Sequence, residues 1–90
     1  MARFDPMAYE AEGPHQHPAS AGDAFLQLGM AYSTGRDGLT DLISAHKWFN
    51  LAAMRGSREA LRYRQEIARE MDETEIAEAQ RAAREWLSTH

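Results

Sequence analysis

The chain has 90 residues, enough for one small domain whose core must be economical. It has no cysteine, which excludes a disulfide scaffold, a thiol nucleophile and every thiolate metal site. Ten basic residues against fourteen acidic ones make a formal charge of -4, which argues against nucleic acid as a ligand.

Residues 1–19 hold all three prolines (Pro6, Pro14 and Pro18) together with Gly13, His15 and His17, and they follow no sustained period. This composition predicts an irregular arm, followed by a helical domain over 20–90. The first helix opens at Ser20-Ala21-Gly22-Asp23, a capping-box pattern, and its expected stripe is Ala24, Phe25, Leu28, Ala31 and Tyr32. Gly35 suits the left-handed position that ends it, and a polar, turn-rich loop follows as far as Thr40. A second helix is expected from about 41 to 55, with Leu42, Ala45, Trp48, Phe49, Ala52 and Ala53 inward and Gly56 closing it. Asp41 near its start favours the positive end of the helix dipole. Ser57 starts a third helix with a stripe of Ala60, Leu61, Ile67, Ala68 and Met71. Asp72-Glu73-Thr74-Glu75 is a second capping box and opens a fourth, with Ile76, Ala79, Ala83, Trp86 and Leu87 inward. No segment has strand period. The expected fold is therefore all-α, a four-helix array with short loops built from two helical hairpins.

Small residues fall where helices must approach closely: Gly29 on the first helix, and Ala45, Ala52 and Ala53 on the second. Leu28, Tyr32, Trp48 and Phe49 fill the space beside them, an alternation that lets a hairpin interdigitate. The motif Leu28-Gly29-x-x-Tyr32-x-x-Gly35, then Asp41-x-x-x-Ala45-x-x-Trp48-x-x-x-Ala52-Ala53-x-x-Gly56-x-x-x-Ala60, resembles the Sel1-like repeat, a relative of the tetratricopeptide repeats. One full repeat covers about 24–60, and Ala24 and Ala60 would each begin a unit. The pattern departs from the family in the loop, where Asp37 and Gly38 hold the usual second glycine and valine positions and Leu39 is the side chain available to fill the gap. The second unit is degenerate, with Arg64, Gln65 and Ala68 in place of Leu, Gly and Tyr, so 61–89 resembles a capping hairpin, and the resemblance implies a short α-solenoid.

Chemical constellations are sparse. Asp41 and Ser44 share a helix face, but His46 lies about 200° round from Ser44, which does not make a catalytic triad. His46 is expected to be an exposed or half-buried helix residue. His15-x-His17 offers two metal ligands without fixed carboxylates beside them, so no metal and no cofactor are expected. The glutamates and arginines of the last two helices interleave as a solvated surface. The aromatic set of Tyr32, Trp48, Phe49 and Trp86 reads as core, with Trp86 either a cap or an interface residue.

No apolar run is long enough to span a membrane, and no apolar stretch follows basic residues near the N-terminus, so a cytoplasmic protein is expected. What remains is a surface. In the geometry that the family resemblance implies, Leu26, Met30 and Ser33 of the first helix line a concave groove flanked by Arg62, Glu66 and Arg69 of the third. Leu26 and Met30 are expected on the side opposite the helix-packing stripe. The expected function is a non-enzymatic adaptor that binds a protein or peptide in this groove. The alternative is a homo-oligomer, such as a homodimer, that covers the groove with its own arm or with a second copy.

Overall fold

The computed structural model describes residues 20–35 and 38–90. Among them are four α-helices and no strand: α1 (Ala21–Thr34), α2 (Leu42–Met54), α3 (Arg58–Ala68) and α4 (Glu73–Thr89). The arm expected over 1–19, with His15 and His17, and loop residue Asp37 lie outside the described residues.

Each helix starts on a side-chain cap. Ser20 Oγ accepts from the Asp23 amide while the Asp23 carboxylate accepts from the Ser20 amide, closing the capping box of α1. Asp41 caps α2, Ser57 caps α3, and Asp72 with Glu75 forms the second box at α4. At the end of α1, Gly35 adopts φ 70° and donates its amide to Ala31 O. A Cβ there would lie 3.1 Å from the Thr40 amide nitrogen, so left-handed backbone and crowding both favour glycine.

Helix α2 is the centre of the molecule, and the other three helices all pack on it. α1 crosses it as an antiparallel partner: Gly22 lies against the Ala52 and Arg55 carbonyls, Gly29 against the Phe49 ring, and the Asp41 amide donates to Tyr32 O at 3.0 Å. α3 returns antiparallel on a neighbouring face, with Phe49 and Tyr63 stacked at 5.5 Å and an Arg64–Asn50 hydrogen bond tying α3 to α2. α4 runs in the same direction as α2, since Glu75 lies near the α2 N-terminus and Trp86 meets Trp48. The third and fourth helices were expected to close as a second hairpin. Instead each packs on α2, because α2 carries small or apolar side chains around most of its girth whereas α3 has only a narrow stripe.

The core of α1, α2 and α3 comprises Leu26, Ala45, Phe49, Ala52 and Ala60, with Phe25, Met30, Ala53, Tyr63 and Ile67 packed against it. Ala79 and Ala83 are buried on α4, whose main packing partner is α2. Phe49 and Leu51 are the largest fully buried side chains, so little bulk holds the helices together. A second apolar contact is an aromatic triad. Phe25, Trp48 and Trp86 meet pairwise at 5.2 to 5.8 Å between ring centres and link α1, α2 and α4. Trp86 therefore joins helices through its ring, and His90 stacks on it at 4.4 Å.

The orientation of α1 differs from the expected one. Leu26 is only 8% exposed and belongs to the core, and Met30 packs against that core. Leu28 and Tyr32, expected to face inward, are each 39% exposed, and Ala24 is exposed too. The cause is the pair of glycines. Gly22, Leu26 and Gly29 fall at i, i+4 and i+7 and so share a face, and α2 comes closest where side chains are absent. Leu61 of α3 is 40% exposed rather than inward, and Leu39, far from filling the loop, is 86% exposed. His46 is buried at 3% exposure, not at the surface.

A Cβ on Gly29 would lie 2.5 Å from the Phe49 ring. In urea unfolding, Gly29→Ala should therefore cost about 1–3 kcal/mol, and adding Phe49→Leu should recover part of that loss. Strict additivity of the two changes would mean that the residues do not touch. Leu26→Glu should abolish cooperative unfolding, whereas Leu28→Glu should shift stability by only about 0.5 kcal/mol.

Candidate functional site

The groove expected from Leu26, Met30 and Ser33 does not form, since Leu26 and Met30 are turned into the α1–α2–α3 core. Ser33 is half-buried and donates its hydroxyl to Met30 O at 3.1 Å. Arg62, Glu66 and Arg69 are exposed on α3, as expected, but those three residues of α1 do not form an open wall beside them.

An open cleft of about 600 Å³ lies elsewhere. Its lining brings together the end of α1 (Ala31, Tyr32), the loop into α2 (Leu39, Thr40), the cap and start of α2 (Asp41, Leu42, Ile43), Glu70 of the α3–α4 connection and Glu75 in the first turn of α4. Helix capping builds its acidic side. The Asp41 carboxylate accepts from the Ser44 amide at 3.0 Å and from the Ser44 hydroxyl at 2.8 Å, which fixes it at the α2 N-terminus. Glu75 Oε1 accepts from the Asp72 amide at 3.0 Å in the α4 capping box. Glu70 is exposed and is not part of either cap. The apolar side comes from Tyr32, Leu39, Leu42 and Ile43, and the Tyr32–Asp41 backbone bond closes the end of the loop.

Of the residues of the repeat motif, the cleft gathers Tyr32 and Asp41. Leu39, Leu42, Ile43, Glu70 and Glu75 were not read as site residues. One signal was present for Leu39: an apolar side chain inside an otherwise polar turn. Nothing local marks Glu70, because the apolar side of the cleft, from Tyr32 to Ile43, lies about thirty residues away in the chain.

Asp41 and Ser44 meet, but as a cap, with the Ser44 hydroxyl donating to the carboxylate. His46 is not hydrogen-bonded to either, and its Nδ1 is buried without a partner among the described residues. Among those residues no group of three or more His, Asp or Glu side chains is placed to hold a metal ion. None of their helices is long and apolar enough to cross a membrane. No protein-family model, curated protein or solved structure matches the chain.

Burial holds the His46 pKa below its ordinary value of 6.5, and the Arg64 guanidinium pushes it the same way. As pH falls, the unfolded chain therefore takes up this proton before the folded one does. The stability due to the neutral imidazole is complete above about pH 6.5 and is lost as pH falls from there towards the lowered folded value. The urea midpoint should fall between about pH 7 and pH 5 more steeply for the native chain than for His46→Gln. Equal slopes would show that His46 protonates as readily folded as unfolded.

Proposed function

We propose that the chain is a non-enzymatic protein-interaction module, a helical-repeat adaptor of Sel1-like type, that takes an amphipathic segment in the cleft between α1, α2 and the α3–α4 connection. The observation that carries this reading is the composition of the cleft: an apolar side of Tyr32, Leu39, Leu42 and Ile43 bordered by Asp41, Glu70 and Glu75. The complementary ligand is a peptide with an aliphatic or aromatic side chain next to lysine or arginine. Its apolar group covers Leu39, which is otherwise almost wholly in water, and its cation meets carboxylates of which two are held in place by caps.

Two further features support an interaction role. Leu28 and Tyr32 lie one turn apart on α1 and are exposed together, and Tyr32 continues into the cleft, so the apolar strip and the cleft form one surface. In stacked helical repeats the outer apolar side of each unit is covered by its neighbour, which fits such a strip and the Sel1-like resemblance. Among the described residues Ser44 donates its hydroxyl to a carboxylate, and it does so within a helix cap, which favours binding over hydrolysis. A location in the cytoplasm belongs to the same proposal.

Panning a random peptide library against the full chain tests this. Enriched sequences should pair Arg or Lys with Leu, Ile or an aromatic residue, and their binding should weaken about tenfold or more with Leu39→Asp or with Glu70→Lys. Both positions are exposed, so circular dichroism should be unchanged. Enrichment of acidic peptides, or binding indifferent to both changes, would remove the cleft from consideration.

A further inference from the structure

We infer that the occupant of the acidic cleft is the outer face of α3 from a second copy of this chain, an inference that rests on the cleft being an interaction site as proposed above. Arg58, Leu61, Arg62 and Gln65 of α3 and its C-cap Arg69 follow helical spacing, and all five are exposed on the side away from Ala60 and Ile67, which pack inward, with the exposed Glu59 and Glu66 along one flank of this strip. This face has the composition that the cleft calls for. Leu61, 40% exposed, is an apolar knob between two arginines, and the Arg62 guanidinium lies 5.4 Å from the Tyr63 ring centre, held along the helix surface. The ion pairs among the described residues are those of Arg81 with Glu78 and Glu85, and the α3 arginines enter none of them.

Charge is also separated along the chain. Residues 47–69 contain six basic and two acidic side chains, and residues 70–90 contain two basic and six acidic ones. The net charge of -4 hides this polarity, which gives one copy both halves of a complementary contact. An amphipathic helix laid in a groove is a common mode of recognition, and here α3 would seat Leu61 against Leu39 and Tyr32 while Arg58 and Arg62 meet Asp41, Glu70 and Glu75. Two unlike patches are joined, so each copy can donate its α3 face and receive another. Exposed charge pairs are individually weak and are screened by salt, so the association should be concentration-dependent and lost at high ionic strength.

Light scattering on the full chain, over about a hundredfold range of concentration at low salt and again at about 0.5 M salt, reads this directly. The mass should rise above 10.2 kDa with concentration at low salt and return to it at high salt. Glu70→Arg alone, and Arg58→Glu with Arg62→Glu, should each abolish the rise while leaving circular dichroism unchanged. An equimolar mixture of these two variants should be heavier than either alone, because one supplies an intact α3 face and the other an intact cleft. A native chain that stays at 10.2 kDa throughout, or variants that associate as it does, would overturn the inference. If the native chain is monomeric yet binds the basic-apolar peptides described above, the second copy is rejected and the cleft stands. If it neither self-associates nor binds such peptides, both fall.

Discussion

The contact between Gly29 and the Phe49 ring sets how α1 sits on α2, the helix on which the other elements pack. It brings the backbone of α1 against the largest buried side chain of α2, and no residue with a Cβ fits there without displacement. With α1 held at this rotation, Leu26 enters the core beside Ala45 and Ala52, and Leu28 and Tyr32 are left on the outer flank. The rest of the core is largely alanine, so the helices lie close and gain their stability from tight packing rather than from bulk. A small domain has little to spare for errors in such packing.

The acidic end of the molecule follows from helix direction. Helices favour acidic side chains at their N-termini, where free amides and the dipole are positive. α2 and α4 run the same way along each other, so Asp41 in one cap and Asp72 with Glu75 in the other are brought to the same end. Glu70 joins them because the α3–α4 connection crosses beside the start of α2. Two of the three cleft carboxylates, Asp41 and Glu75, are therefore residues whose first task is local. Substitutions at Asp41 or Glu75 would confuse binding with helix stability, whereas Glu70 and Leu39 separate the two.

Much of the local structure was legible in the residues. The boxes at Ser20–Asp23 and Asp72–Glu75, the Ser57 cap and the turn at Gly35 are short-range hydrogen-bond and dihedral requirements, and all four formed where expected. Gly29 was legible as a point of close approach. The identity of its neighbour on α2, and with it the rotation of α1, was not. The motif Leu28–Gly29–x–x–Tyr32 drew attention to the large side chains, whereas the face was set by Gly22, Leu26 and Gly29. Among candidate site residues, Tyr32 and Asp41 were named for their place in a repeat motif, and the cleft that joins them was not foreseen.

The amino-acid sequence by itself determined four helices, their starts and the absence of strands in the described residues, because caps, turns and a helical period depend on neighbours within about five positions. Only the tertiary structure decided which stripe of α1 is buried, that α3 and α4 each pack on α2, and where the charged ends lie. Those outcomes depend on which surfaces come closest across the whole chain, and a helix with apolar residues on two adjacent faces does not state in advance which one its partner will cover.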